Sequence, residues 1–242
     1  MSSAEKKQLN VLLVSQYLQG GGLERMVHLL GACLHKEFHC KVELFNFDLE
    51  ADPKLVKHLN EQGLEITHLQ KGSGFSLRTV WALACLIWRR KADIIHTHET
   101  APLMYAVIAR FLSLRFGVKI VHTQHSFIHL QTRSFIRFYD NFFSRFASTV
   151  TVVSEQVQNE YLKMGVSRER VLLIQNGVEF PKNRLDAAAK KELRKEFSEI
   201  VPALKSQIDA TWLMALASVN HKKGQDNLIR MWGPLPQSKP TK

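Results

Sequence analysis

The sequence is poor in cysteine, and its cysteines are placed where neither cross-links nor a metal cluster would be expected. Cys33, Cys40 and Cys85 are the only three, they are widely spaced, and no CxxC pair occurs. Disulfide frameworks and structural zinc sites use cysteines in pairs or at short spacings, so we expect neither. A reducing compartment suits such a chain, and we expect it to be cytoplasmic.

Long apolar runs and a leader-like N-terminus are also missing. The longest apolar stretch, residues 79–88, is about half the length of about 20 residues that a membrane-spanning helix needs. The first ten residues (MSSAEKKQLN) are polar and lead straight into a strand-like run, which does not predict a secretory signal. We therefore expect a soluble protein or one that lies on a membrane surface.

Acidic residues are outnumbered by basic ones, 22 against 33, which gives a net charge of +11. Such an excess suggests an anionic partner, and phospholipid headgroups, a diphosphate or a nucleic acid would all satisfy it. No recognised nucleic-acid-binding module is present, so we do not expect a nucleic acid. Apolar residues make up 45% of the chain, which predicts a buried core.

Short apolar runs alternate with helical patterns along most of the chain. This alternation predicts an α/β fold, a Rossmann-like parallel sheet with helices on both faces. Ligands of such sheets bind beyond the carboxyl ends of the strands. The predicted strands cover residues 9–15, 41–46, 64–68, 93–97, 118–123, 149–153 and 170–174.

A domain boundary is expected near residues 176–184 (NGVEFPKNR), which combine Asn-Gly, a proline and little apolar content. Residues 1–180 then form the Rossmann-like domain. Residues 181–242 read as a charged linker helix followed by the incomplete start of a second α/β domain, with one strand at 212–219 and one helix at 224–231. The last eleven residues contain three prolines and no strand pattern.

The first predicted strand is followed by Gly20, Gly21 and Gly22, which open a helix. Glycines allow a close backbone approach, and a helix N-terminus attracts anions, so this turn can bind phosphate. An ordinary strand-to-helix turn explains the glycines equally well. The pattern is neither GxGxxG nor a Walker loop.

Histidines cluster after the fourth and fifth predicted strands. The fourth ends in His96, His98 and Glu99, and the fifth carries His122 and His125. Strand alternation puts His96 and His98 on one face, and we expect His122 and His125 to join them near the next strand end. Histidine serves proton transfer and hydrogen bonding at neutral pH, so two such strand ends predict a cleft. The spacing is not that of a helical zinc site, and we expect no metal.

Residues 132–147 are predicted to form a helix with an aromatic stripe and with Arg133 and Arg137 on the opposite face. We expect the aromatic face to pack on the sheet. The alternative is a helix that lies on an anionic bilayer. The stripe consists of Phe135, Phe138, Tyr139, Phe142, Phe143 and Phe146.

Taken in order, these motifs resemble glycosyltransferase family 4 of the GT-B fold, from residue 9 to residue 229. Each motif is weak alone, but the ordered set is specific. The segments that carry the resemblance are the turn at residues 20–24 (GGGLE), residues 92–98 (ADIIHTH), 123–125 (TQH), 152–155 (VVSE), 174–179 (IQNGVE) and 223–224 (KG).

The resemblance implies an N-terminal, acceptor-side GT-B domain followed by a truncated C-terminal domain. It implies that His125 is the catalytic residue beside the reacting sugar, and that His98, with the adjacent Glu99, lies in the acceptor cleft. The positions that it implies for the donor diphosphate are Gly21, Gly22 and Lys223.

The activity implied is transfer of a sugar from a nucleotide-diphosphate sugar to a glycan or lipid-linked acceptor, with retention and without a cofactor or metal. Synthesis of cell-envelope polysaccharide or lipopolysaccharide at the inner face of the membrane is the expected setting. Two departures count against an active isolated chain. Ser218 replaces the phosphate-binding arginine of the family, and the family's pair of donor-site glutamates is missing. A non-catalytic acceptor- or membrane-binding module, a partner that supplies the donor domain, and a truncated inactive product therefore remain open.

Overall fold

The computed structural model describes residues 7–48, 50–125, 134–177, 185–215, 217 and 223–232. The contacts between residues divide the chain into two compact units, residues 1–179 and residues 180–242. The first unit contains the sheet and every histidine of the predicted cleft.

The first unit is built on seven parallel strands in the order β3-β2-β1-β4-β5-β6-β7. Each predicted strand is present, with ends that differ by at most a few residues. The Rossmann-like α/β fold predicted from the alternating pattern is therefore confirmed. The strands are β1 (Asn10–Ser15), β2 (Lys41–Asp48), β3 (Glu65–Gln70), β4 (Ile94–His98), β5 (Lys119–Gln124), β6 (Thr149–Val152) and β7 (Val171–Leu173).

Helices cover both faces of the sheet because successive strand residues point to opposite sides. Val11 and Leu13 of β1 belong to a core with α1 and α2, whereas Leu12 and Val14 belong to a second core with α3, α4 and α6. The helices of this unit are α1 (Gly22–Lys36), α2 (Pro53–Glu61), α3 (Leu77–Arg89), α4 (Thr100–Leu112), α5 (Ser134–Ser144) and α6 (Glu155–Lys163). No helix among the described residues is long and apolar enough to span a bilayer.

Local signals fix where several of these helices begin and how closely they pack. The Ser154 hydroxyl accepts a hydrogen bond from the Val157 N–H and caps the N-terminus of α6. Gly31 lets α1 approach β1 closely, because a Cβ at that position would lie 3.1 Å from Cδ1 of Leu13.

The aromatic helix differs from expectation. Phe143 and Phe146 pack against the core, but Phe135, Phe138 and Phe142 are 69%, 67% and 47% exposed. The buried residues of α5 are instead polar, Asp140 and Ser144. The prediction that the whole aromatic face packs on the sheet is therefore wrong, because Asp140 turns inward to buried hydrogen-bond donors.

The second unit contains α7 (Ala187–Ile200), a 3₁₀ turn (Pro202–Gln207) and α8 (Gln225–Trp232). The Arg194 guanidinium lies 5.2 Å from the Trp212 ring and donates to the carbonyl of Ile208 at 2.7 Å. The strand predicted over 212–219 is wrong for its described residues, 212–215 and 217, which form no strand. A strand requires a paired neighbour, and in this region the side chains of Leu213 and Met214 are exposed.

Candidate active site

The candidate site lies at the carboxyl edge of the sheet where the strand order reverses between β1 and β4. Crevices at such reversal points are the usual ligand sites of open α/β sheets. The glycine turn follows β1. Glu99 follows β4, and His125 follows β5. The topology therefore gathers the motifs of the first unit at one edge.

Three histidines stack in a row at this edge. The ring centroids of His96 and His98 are 4.4 Å apart, and those of His98 and His125 are 5.5 Å apart. Nδ1 of His98 lies 3.2 Å from Nε2 of His125, within hydrogen-bond distance. The two histidines that the family resemblance places beside the reacting sugar and in the acceptor cleft are thus direct neighbours.

Burial keeps this row uncharged near neutral pH. It lowers the pKa of His96 to about 3 and that of His125 to about 4, and neighbouring histidines add to both shifts. The pKa of His98 is lowered well below its ordinary value for the same reasons. Neutral imidazoles exchange hydrogen bonds with hydroxyl groups and do not attract the diphosphate as cations would.

The contact between His98 and His125 fixes what the pair presents to a ligand. A neutral imidazole has one donor and one acceptor nitrogen, so one ring donates to the other. The remaining nitrogens are His98 Nε2 and His125 Nδ1, which are buried and have no hydrogen-bond partner within the described part of the chain. Whichever ring donates, one of these two nitrogens is a donor and the other an acceptor. These two nitrogens lie at opposite ends of the pair, so they can hydrogen-bond two separate hydroxyl groups, one as donor and one as acceptor.

Glu99 adopts a backbone conformation that is otherwise almost confined to glycine, with φ of 74° and ψ of 165°. Its N–H donates to the Thr123 carbonyl at 3.0 Å, which ties the strained residue to β5. Burial, followed by the Asp140 charge, raises the pKa of the Glu99 carboxyl to about 7, against an opposing hydrogen bond from the His125 N–H. The carboxyl therefore changes charge near neutral pH.

A buried network on the other side of the sheet supports this edge. Asp140 accepts hydrogen bonds from the hydroxyls of Tyr161 and Thr100 and from the Gln124 amide. The Gln124 carbonyl oxygen in turn accepts from the His125 N–H at 3.1 Å. Asp140 thus holds the segment that carries His125.

His122 belongs to this supporting network and not to the row of histidines. Its Nδ1 lies 3.1 Å from the Thr97 hydroxyl, and its Nε2 lies 3.1 Å from the Tyr161 hydroxyl. The expectation that His122 accompanies His125 is wrong, since residues three apart at a strand end point to opposite faces. Asp140 and Tyr161 were not predicted. The one available signal was an isolated acidic residue in an aromatic and basic helix.

The glycine turn approaches the same edge. Gly21 is the N-cap of α1, and a Cβ there would collide with the Glu24 carboxylate, which folds back over the helix N-terminus. Glu24 is also close enough to contribute to the raised pKa of Glu99. Because a carboxylate already lies at this terminus, a diphosphate would have to displace it. Diphosphate contact by Gly21 and Gly22 stays a prediction.

Lys223 is described in the second unit, where it is exposed. Its predicted contact with donor phosphates also stays a prediction. Among the described residues no group of three histidine, cysteine or acidic side chains is arranged to hold a metal ion.

A cavity of about 530 Å³ opens beside the row of histidines, on the face of the sheet covered by α1. His96 and His98 form one wall, Met26 and Leu30 of α1 form another, and Asn176 lies at the rim. Cavities of roughly 300–1,000 Å³ with mostly apolar walls and a few polar groups are typical of small-molecule sites. The histidines supply the polar groups.

Comparison with known proteins agrees with this architecture. The sequence model of the family described as Glycosyltransferase Family 4 matches residues 20–180, more than half of the chain. The chain therefore belongs to glycosyltransferase family 4. A comparison with curated protein sequences gives no match.

Solved structures share the fold at low sequence identity. Anabaena Alr3699/HepE in complex with UDP-glucose matches with a TM-score of 0.63 and 17% identity over 79% of this chain and 50% of that one. A glycosyltransferase from Rickettsia africae ESF-5 matches with a TM-score of 0.60 and 19% identity over 80% and 50%. The lipopolysaccharide outer core galactosyltransferase WaaB, in its apo form, gives 0.54 and 14% over 72% and 47%. The chain thus spans about half the length of these structures, which are GT-B folds.

Proposed function

We propose that the chain is a glycosyltransferase, or the acceptor-side part of one, that moves a sugar from a nucleotide-diphosphate sugar to a glycan or lipid-linked acceptor with retention of configuration. The main support for this proposal is the neutral pair of His98 and His125 beside Glu99 at the β4–β5 edge. The pair has one free hydrogen-bond donor nitrogen and one free acceptor nitrogen. Family membership supports the reaction class. The UDP and UDP-glucose bound by Alr3699/HepE support a uridine diphosphate donor.

The proposed reaction places distinct demands on these residues. The bond between the anomeric carbon and the diphosphate oxygen breaks, and the acceptor oxygen bonds to that carbon. The acceptor hydroxyl proton passes to the departing diphosphate. His98 and His125 would hold hydroxyls of the transferred sugar or the acceptor through their free nitrogens. Since both rings are neutral, they do so without repelling the positive charge that develops at the anomeric carbon.

Glu99 would orient the acceptor hydroxyl. An ionised carboxylate accepts a hydrogen bond from a hydroxyl more strongly than a neutral acid does. With a pKa of about 7, the ionised fraction of Glu99 rises as the pH rises through neutrality. Its backbone is strained, and strain of this kind is concentrated at functional sites.

The proposal is tested by incubating the chain with UDP-glucose, UDP-galactose and UDP-N-acetylglucosamine, with and without lipid-linked glycans from bacterial membranes. Release of UDP and labelling of the acceptor are measured. We expect turnover with at least one donor and a loss of roughly a hundredfold or more in His125→Ala, which is typical of losing a group at the reacting centre.

His58→Ala is the matched control, because His58 is an exposed histidine of α2 on the other side of α1. It should retain the wild-type rate. Equal rates in His125→Ala and wild type would place the reaction elsewhere. Turnover no greater than that of heat-denatured chain would refute transfer by these 242 residues alone and would leave only the acceptor-side part of a larger enzyme.

A further inference from the structure

An exposed aromatic surface runs along the outer side of α4 and α5, away from the row of histidines. Its rings touch in a continuous series. Phe116 lies 6.1 Å from Phe111, Phe111 5.7 Å from Phe146, and Phe146 5.7 Å from Phe142, measured between ring centroids. The series continues through Phe143 and Tyr139 to Phe135 and Phe138. We define the aromatic surface by its exposed apolar side chains, Phe111, Leu112, Leu114, Phe116, Phe135, Phe138 and Phe142.

The exposed apolar side chains of this surface are neighbours, unlike the single exposed apolar residues that are common on proteins. Leu114 is 75% exposed and Phe116 is 60% exposed, and both occur next to Phe111 in the turn after α4. Contiguous apolar patches of this kind mark places where a protein or membrane binds. The neighbouring helix α3, which packs on α4, adds the exposed Trp81 and Trp88.

The charge around the aromatic surface is mostly positive, although Arg90 is paired with Glu43 and Glu65, and Arg137 with Glu160. The described residues 76–91, 100–116 and 134–148 contain a single acidic residue, Asp140, which is fully buried. Helices α1 and α2, on the opposite face of the sheet, carry Glu24 and Glu61. The basic residues on the aromatic side are Arg78, Arg89, Arg90, Lys91, Arg110, Arg115, Arg137 and Arg145.

The basic and aromatic groups are also arranged as an interface would need. The Arg110 guanidinium stacks 5.3 Å from the Phe111 ring, so charge and apolar surface lie together. Arg145, exposed at the end of α5, lies next to Phe146 in sequence. Helices that bind anionic bilayers combine Phe and Leu on one side with Lys and Arg beside them. Arginine can keep its charge at the headgroups while its stem lies on apolar surface.

We propose that the aromatic surface docks the protein on an anionic phospholipid bilayer. Phe138 and Phe142 would enter the boundary between headgroups and acyl chains, and Arg115 and Arg145 would bind lipid phosphates. An anionic bilayer satisfies both the exposed apolar area and the excess of basic side chains beside it. The inference concerns a surface outside the candidate active site and does not depend on turnover.

The test is co-sedimentation of the 242-residue chain with vesicles of phosphatidylcholine alone or mixed equally with phosphatidylglycerol. It is run at about 0.1 M and about 1 M salt, where the Debye length is about 10 Å and about 3 Å. We expect binding to the mixed vesicles, at least about tenfold weaker at high salt, and little binding to phosphatidylcholine.

Two double variants separate the apolar and charged contributions to vesicle binding. Phe138→Ala with Phe142→Ala should lower the partition coefficient about tenfold or more. Arg115→Gln with Arg145→Gln should lower it about fivefold for each arginine. The matched controls, Phe38→Ala and Lys54→Gln with Lys57→Gln, alter side chains near the end of α1 and on α2. They should bind like wild type. Phe38 is 68% exposed, like Phe138 at 67%.

Three results would overturn the proposal. One is absence of binding to the mixed vesicles at low salt. Another is an equal loss in Phe38→Ala and in the Phe138 and Phe142 variant. The third is a protein dimer in light scattering that the Phe138 and Phe142 variant dissociates, since the surface would then bind a second copy. Circular dichroism should show the same thermal unfolding for all variants, because every altered side chain lies at the surface.

Discussion

Replacing Glu99 by glutamine should stabilise the protein at alkaline pH far more than at acid pH. The folded protein raises the pKa of this carboxyl from 4.5 to about 7. A raised carboxyl pKa means that the unfolded chain releases the proton first. Stability from this group is therefore fully present below pH about 4.5 and is lost as pH rises to about 7. Glutamine has the same shape but cannot ionise, so the variant does not lose this stability as the pH rises.

The size of the effect follows from linkage. For these two pKa values, wild type loses about 2.5 kcal/mol of unfolding free energy between pH about 5 and about 8.5 because of Glu99 alone. Glu99 is partly accessible to solvent, and screening reduces the effect. We therefore expect the advantage of Glu99→Gln over wild type to grow by about 1 to 2.5 kcal/mol across that range.

The assay is urea unfolding of both proteins at the two pH values. Other titrating groups cancel in the difference between variant and wild type. Glu37→Gln, at an exposed position after α1, is the matched control and should show no such growth. An advantage of Glu99→Gln that is the same at both pH values would refute the environment assigned to this carboxyl.

Two further substitutions test the packing that supports the site. Asp140→Ala should lower the free energy of unfolding by about 3 kcal/mol, because Tyr161, Thr100 and Gln124 lose their common buried acceptor. A decrease below about 1 kcal/mol in urea unfolding would contradict that network. Gly31→Ala should lower the free energy of unfolding by about 1 to 2 kcal/mol, because the added methyl lies 3.1 Å from Cδ1 of Leu13. Alanine stabilises an exposed helix by about 1 kcal/mol relative to glycine, and a gain of that size here would contradict the close approach of α1 to β1.

The strand pattern was predictable from sequence because each of the seven strands is short, contains apolar residues and is separated from the next helix by a turn. The prediction failed at residues 212–215, where WLMA has the composition of a strand but forms none. A strand is defined by its partner, and a partner distant in sequence is invisible to a local pattern. The glycine turn and the histidine-bearing strand ends could be placed at one edge because parallel strands share their direction.

The details of the site depended on contacts that no local pattern contains. His122 was assigned to the wrong face because it was expected on the same side as His125. Residues three apart in a strand point to opposite faces. The aromatic face of α5 was expected to point inward because apolar stripes usually do. Asp140 instead points inward to three hydrogen-bond donors, and Phe135, Phe138 and Phe142 are left exposed. Glu99 carries no sequence mark of its strained backbone, which follows from its bond to β5.

The pH dependence of nucleotide-sugar consumption tests the central claim most directly, namely that the β4–β5 edge with Glu99 and His125 is the reacting site. Initial rates of wild type, Glu99→Gln and His58→Ala are compared from pH about 5.5 to about 8.5, a range centred on the pKa of about 7. We expect a wild-type rate that rises with pH through a single pKa near 7. We expect the same profile in His58→Ala and a low, pH-independent rate in Glu99→Gln. A Glu99→Gln profile with the wild-type rate and the wild-type midpoint would contradict it.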